Sequence, residues 1–583
     1  MTGTAAPRAG AQNAPRSPSL ASARELAERV AAKPVVSYLA IIALQLHVMW
    51  KVWVYRDTTF GDTSAYYLDA TLWIHHLQDD IVWSPLYTDT LGTIAAIIHP
   101  VWTAMMVHRI LIVFGAVIVV LAVARRFLPA SVALLVAAWW AIVPANFSVT
   151  YEVHLSDVIA FGAALVVVGR NPSRARLGAC FGILLGAALL LRNELIISVL
   201  VLLVGIVLYE LRSVDRPPLR RYLRSYGLPL LAVAVAFSFA YERSVLQGSS
   251  AAAAFDAKQT LNFCQVYAFN FQQRHPSAFT GNPFTQCEPL IQHTFGESTP
   301  TLVDATFANP RAVGAFVGYN LALLPLGMQV SMFGATSGSV TPGFESYPMD
   351  AWYPTLLSAI WIAVLLAGVL CLRREREYWR GTWLRGRGWL VLVLGGLAMT
   401  ALIVAATERP RPEYIYGLTL ACMIGTGVAV TAIARRAGLS SNRLGWISGL
   451  LALALIIAWP AYYSQTTRPL HDALVRLAPV ERQLQRPGSV LITDAYNGEI
   501  CAYTALDPWH MCSSPAWATV FAELASGHSA AAVLRAQGAT VIYADVNVAD
   551  ALASVLAAPQ KAGWRVTAHG GSGANSWSVL VRS

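Results

Sequence analysis

The sequence predicts an α-helical polytopic membrane protein of about eleven spans, ending in a small α/β domain outside the bilayer. Three observations lead there. Of 583 residues, 56% are hydrophobic and only 13% charged, against about a quarter charged in a soluble domain. Apolar runs of about 17–25 residues, enough to cross a hydrocarbon core of roughly 30 Å, recur along most of the chain. The arginines gather in the short turns between alternate runs, which is the positive-inside signature. The net charge of +10 therefore reports topology, and no nucleic-acid partner is needed.

Residues 1–33 are rich in Ala, Pro, Ser and Arg and lack an apolar core. They read as a disordered cytoplasmic tail, and without a small-residue cleavage pattern after the first apolar run no signal peptide is expected. The membrane domain is placed at 34–461. Its spans fall near 35–54, 101–123, 130–146, 157–170, 177–192, 195–211, 226–241, 354–372, 389–406, 414–434 and 445–461. Arg125-Arg126, Arg170/Arg174/Arg176, the Arg212–Arg224 cluster, the Arg373–Arg387 cluster and Arg435-Arg436/Arg443 then all lie on one side, which makes it the cytoplasmic one. Counting 313–333 as a span would put the 373–387 arginines outside. With Asn320, Pro325 and Gln329 in it, that run is expected in or at the outer interface.

Three segments are then outside the plasma (inner) membrane: loops 55–100 and 242–353, and the tail 462–583. In the tail, Ser489–Thr493 and Ala539–Tyr543 have buried-strand patterns, Ala531–Gly538 reads as a helix with a glycine stop, and Trp577–Val581 closes as a strand. Cys264, Cys287, Cys501 and Cys512 fall two and two in outside segments. An oxidising compartment favours the pairs Cys264–Cys287 and Cys501–Cys512 over four free thiols. Neither pair has zinc-ligand spacing.

Polar residues collect at the outer ends of the spans. Phe60-Gly61-Asp62 follows span one, with Tyr66 and Tyr67 close behind. Glu152, His154 and Asp157 join spans three and four, and Arg192-Asn193-Glu194 turns between spans five and six. Glu408-Arg409-Pro410-Arg411-Pro412-Glu413-Tyr414 joins two late spans, and His108 and Arg109 lie inside span two. Acidic groups at a bilayer surface are costly enough to imply a use. Arginines at the same depth imply an anionic ligand, because a guanidinium binds phosphate bidentately at any working pH. The blander readings are a solvated ion pair of Asp62 with Arg56 or Lys51, headgroup anchoring by Arg409 and Arg411, and a structural Arg192–Glu194 pair. His154 is the one local histidine, too few ligands for a metal site to be expected.

On these residues the chain resembles the GT-C glycosyltransferases, and within them the protein O-mannosyltransferases and lipid A aminoarabinose transferases. Gly61-Asp62-x-x-x-Tyr66 is similar to the family's first-loop acidic motif, and Ser156-Asp157 to its second acidic position. Arg192-Asn193-Glu194 resembles its Arg-x-Glu turn and Arg411-Pro412-Glu413-Tyr414 its late Arg-Tyr segment. Gly61 stands where many members have a second acid, which speaks against a metal-assisted variant.

The resemblance implies a GT-C-type membrane domain with no cofactor. It moves a sugar from a polyprenyl-phosphate donor to a hydroxyl of a glycan, lipid or protein acceptor. Asp62 would be the base and Arg409 and Arg411 the main donor-phosphate ligands, with Lys51, Arg109 and Arg192 as alternates. Tyr66, Glu152, His154, Asp157, Glu194 and Tyr414 would hold sugar or acceptor. The rival readings are a lipid or lipid-linked-glycan flippase, and an oligosaccharyltransferase or O-antigen ligase with a diphosphate-linked donor.

Overall fold

Helices run back and forth between two chemically different ends, and the ends are fixed by what the turns contain. The computed structural model describes residues 33–49, 66, 69–71, 73, 77, 80–99, 101–148, 153–213, 217–245, 251–284, 286–343, 347–380, 384–439, 479–480, 482–484, 488–494, 501, 512–571, 573 and 576–583. The longer helices are α1 (Pro34–Val48), α2 (Pro85–Ala95), α3 (Val101–Phe127), α4 (Ala130–Ile142), α5 (Val153–Val166), α6 (Arg174–Leu190), α7 (Ile196–Arg212) and α8 (Leu228–Val245). They continue with α9 (Ala251–Arg274), α10 (Glu288–Phe295), α11 (Leu302–Ala308), α12 (Pro310–Phe333), α13 (Tyr353–Arg374), α14 (Gly388–Thr407) and α15 (Tyr416–Arg436).

Long-range hydrogen bonds sort the turns. At one end Arg125 Nη1 donates to Ser37 Oγ at 3.0 Å, Arg387 Nε donates to the carbonyl of Arg126, and Arg435 pairs with Glu375 at 3.0 Å. Arg174 pairs there with Glu210 at 2.8 Å, and Tyr226 donates to the same carboxylate. At the opposite end Ser84 Oγ donates to Leu191 O at 2.8 Å, Tyr416 Oη to Ala145 O at 2.6 Å and Trp139 Nε1 to Met332 O at 2.7 Å. The arginine-rich turns thus share one end, as the positive-inside pattern requires.

Among the described residues seven helices are long and apolar enough to cross a membrane, and Pro34–Val48, Ala130–Ile142 and His154–Val166 are shorter apolar helices. Helix length alone does not establish a count of eleven, and the expected span at 445–461 lies outside the described residues. One of the seven is α12, starting at Pro310 behind the Asn309 cap and ending at Gly334 with φ 73°. Its polar contacts with the other long helices reach only their ends. Gln329 donates to Ser358 in the second turn of α13, Met332 accepts from the last turn of α4, and Asn320 donates to Ala406 at the end of α14. Its N-terminal half packs instead on α9, α10 and α11, where Phe316 joins Phe263, Tyr267 and Phe295. That arrangement suits a helix lying across the ends opposite the arginine-rich turns.

The apolar interior is one large cluster of small and branched side chains from α1 and α3–α7, joined by α14 and α15. By contrast α13 is almost bare, with 6% of its most apolar window buried, as expected of a helix facing lipid. The tail carries a four-stranded sheet in the order β1-β2-β4-β3, with β1 (Leu491–Ile492) parallel to β2 (Val541–Ala544) and the other pairings antiparallel. The expected helix appears at Ala530–Ala536 with Gly538 at φ 66°. The strand β3 (Trp564–Gly570) goes beyond the sequence reading: it is an edge strand with few buried positions, so it lacks an apolar signature. β4 spans Trp577–Arg582.

Candidate functional site

Two tight connections meet at the end opposite the arginine-rich turns, and the sequence dictates both. The chain leaves α6 at Leu191 and re-enters helix at Asn193, which leaves Arg192 extended at φ −145° with its side chain directed inward. Between α14 and α15, Pro410 and Pro412 forbid helical continuation, and a residue before proline is driven to extended backbone. Arg411 accordingly sits at φ −65°, ψ 142°.

The result is a buried ionic cluster. Arg192 Nη2 lies 3.0 Å from Glu194 Oε1, and Arg411 Nη2 lies 2.6 Å from Glu413 Oε1. Arg411 and Glu413 are only 7% and 4% exposed. The two guanidiniums converge on one ring, at 4.8 Å and 5.1 Å from the Tyr414 centroid. Glu408 sits among Glu194, Arg192, Arg411 and Tyr414. Burial, reinforced by the Glu194 carboxylate and opposed by the two arginines, pushes the Glu408 carboxyl up to about 7. Burial also carries the Tyr414 phenol well above its ordinary range.

Beside the cluster opens a cavity of about 50 Å³, walled by Ser156, Asp157, Phe161, Leu397, Thr400 and Tyr416 and edged by Arg192, Glu194, Glu413 and Tyr414. That volume holds a few water molecules at roughly 10–15 Å³ each. Asp157 is 7% exposed, and among the described residues its Oδ2 has no hydrogen-bond partner. A buried carboxyl oxygen without a partner, facing a mostly apolar cavity, is a ready hydrogen-bond site for a hydroxyl. Arg192 lies within electrostatic reach of it. His154, fully buried one turn earlier on α5, has its ring 5.6 Å from Tyr416.

The first outer loop reaches the same place. Tyr66 packs edge-on against Trp83 and Tyr87 at 5.6 and 5.0 Å, in a small cluster with Leu191 that touches Leu155. From α9, Lys258 Nζ donates to Val82 O at 2.9 Å, lies 3.5 Å over the Trp83 ring and exerts its charge on Glu194. The sequence reading missed Lys258. It stands in a long outer loop with no motif around it, and only the fold brings it to the site.

The structure brings together Tyr66, His154, Asp157, Arg192, Glu194, Arg411 and Tyr414, while Asp62, Lys51 and Glu152 lie outside the described residues. Arg109 is buried within reach of His154, deeper than the ionic cluster, and His108 shares a 3.0 Å hydrogen bond with Thr90. Arg409 departs from expectation. It is 0% exposed and turned away from the cavity. Its Nη2 donates to Thr341 O at 2.6 Å and Gln273 Oε1 at 2.9 Å, and its guanidinium lies 4.5 Å from the Phe269 ring centroid. Those contacts tie Arg409 to Gln273 and the Thr341 and Pro342 carbonyls, and it does not line the cavity. The structure bonds Cys264 to Cys287 and Cys501 to Cys512. Among the described residues no group of three or more His, Cys, Asp or Glu is placed to hold a metal.

No family model and no curated protein matches the chain. Among solved structures it is similar to the oligosaccharyltransferase of Archaeoglobus fulgidus in its apo form, at 14% identity and a TM-score of 0.38, over 88% of this chain and 69% of that one. It is also similar to ArnT from Cupriavidus metallidurans bound to undecaprenyl phosphate, at 12% identity and a TM-score of 0.36, over 93% of this chain and 97% of that one. Neither likeness carries the function, which rests on the site's own chemistry.

Proposed function

We propose that this chain is a membrane glycosyltransferase of GT-C type. It moves a sugar from a polyprenyl-phosphate donor to a hydroxyl acceptor on the extracytoplasmic side, with inversion at the anomeric carbon. The observation that supports this reading most is a cavity lined by Asp157, Arg192, Glu413 and Tyr414, with Arg411 held beside it against Glu413 and the Tyr414 ring, at the end away from the arginine-rich turns. A phosphate leaving group gains negative charge as its bond to the sugar breaks, and preorganised cations in a water-poor site stabilise that charge as it develops. Arg411 and Arg192 have that role, with Lys258 as a third cation nearby. Glu408, raised to about 7 by burial and the Glu194 carboxylate, carries only part of a negative charge beside the arginines near neutral pH.

A hydroxyl nucleophile needs a base within hydrogen-bond reach. Asp62 has that role: it lies four residues before Tyr66, which packs against Leu191 next to Arg192. Asp157, Glu194, His154 and Tyr414 orient sugar and acceptor. The test is transfer from radiolabelled polyprenyl-phosphate sugars by the purified protein. Asp62→Asn should abolish turnover while donor binding stays measurable. Wild-type turnover by that variant would remove Asp62 from the chemistry, and no turnover by the wild type across hexose, aminopentose and arabinofuranose donors would remove the class.

A further inference from the structure

The outer segment grips the loop that presents Arg411, residue by residue. Asn320 on α12 is fully buried, and its Nδ2 donates to the carbonyls of Ala406 at 3.1 Å and Glu408 at 3.3 Å. Those carbonyls belong to the last turn of α14, whose acceptors lose their helical donors because prolines follow at 410 and 412. Asn320 Oδ1 accepts from Asn270 Nδ2 at 2.8 Å, and Asn270 Oδ1 accepts from Arg274 Nε at 2.8 Å. Arg409 is tied on the other side to Gln273, Thr341 and Pro342. Tyr319 Oη donates to the same Gln273 oxygen at 3.3 Å. Gly327 completes the grip, since any Cβ there would collide with the carbonyl oxygen of Pro410. Glu408, Arg409 and Pro410, the three residues before Arg411, are therefore each held by a different contact.

Buried hydrogen-bond networks hold their members in one geometry, and losing a bond is costly because the freed groups have no water to turn to. We infer that Asn320 and Arg409 are positioning residues: the α9–α12 unit is a clamp that sets where Arg411 and Glu408 stand, and through them tunes anion binding. The link to anion binding rests on the phosphate-binding role proposed for Arg411; the clamp itself rests on the hydrogen bonds alone.

Hydrogen–deuterium exchange of the protein in nanodiscs separates the two. Asn320→Asp keeps shape and the acceptor for Asn270 but removes both donated bonds. Its amides across 404–416 should exchange about tenfold faster, the equivalent of about 1.4 kcal/mol, with the C-terminal sheet unchanged. Gln273→Met, which takes one acceptor from Arg409, gives the same readout if Asn320→Asp does not fold. Undecaprenyl phosphate is the binding probe. Asn320→Asp should weaken it about tenfold, and that effect should vanish in an Arg411→Met/Glu413→Gln background, as non-additivity requires of a residue acting through another. Unchanged exchange in both variants, or a full effect of Asn320→Asp without Arg411, overturns the clamp. If the segment loosens but the lipid binds not even the wild type, the donor reading falls and the clamp stands.

Discussion

The two ends of the helix bundle use arginine differently. At the arginine-rich end exposure varies: Arg435 is 48% exposed in its pair with Glu375 and Arg176 is exposed as it donates to the carbonyls of Val166 and Val168, while Arg174 is 12% exposed against Glu210. At the other end Arg411 is 8% exposed at the side chain against a Glu413 at 2%, and Arg192 is 10% exposed. An exposed pair is worth under about 1 kcal/mol. A buried pair barely repays its own desolvation, and breaking it costs about 3–5 kcal/mol. A pair that brings little stability where it is buried invites another role, and the role proposed for this end is binding an anion.

The contrast is broken most forcefully at Arg411. Arg411→Met combined with Glu413→Gln removes the pair without stranding a charge, so the protein should fold while transfer falls about 100-fold or more, in the range seen when one stabilising donor is removed. A transfer rate near wild type would make the pair structural. Arg192→Met should lower transfer less, by about tenfold to 100-fold, because Arg411 and Lys258 remain; a steady-state comparison of the two variants checks the order.

Glu408 sharpens the comparison through pH. Its folded value of about 7 stands above the ordinary 4.5, so between those values the folded chain holds a proton that the unfolded chain has released. The stability from this group is therefore complete below pH 4.5 and is lost as pH rises through about 7. Thermal melts from pH 4.5 to 8 should decline across that window in the wild type and flatten in Glu408→Gln. Identical slopes would mean that Glu408 titrates alike in the folded and unfolded chain. The smallest effect belongs to the far end. Arg435→Ala should move the melting free energy by under about 1 kcal/mol and leave transfer within about twofold; a larger loss would erase the difference between the ends.

Much of this was legible in sequence because lipid makes the rules strict. Most of the expected spans lie within a few residues of a helix, and the arginine turns gave the ends, because a backbone in hydrocarbon has no alternative to helix and charge cannot hide there. Short signatures also singled out Asp157, Arg192 and Arg411, which the structure brings to one end of the bundle: Asp157 on helix α5, Arg192 by a tight turn and Arg411 by flanking prolines. Spacing cannot tell which way a side chain leaves an extended segment: two residues from Arg411, Arg409 turns to the Thr341 and Pro342 carbonyls and to Gln273. Lys258 and the Asn270–Asn320 relay were invisible, since their meaning lies in a packing of α9 and α12 on distant turns that no local pattern encodes. The strand β3 escaped for a similar reason, being too exposed to alternate.

The central claim is that this end of the bundle binds a lipid-linked phosphate. Its most direct test is the affinity of the nanodisc-embedded protein for undecaprenyl phosphate. Wild type and Arg435→Ala should bind alike, and the Arg411→Met/Glu413→Gln protein should bind at least about tenfold more weakly. Equal affinity in all three would contradict it.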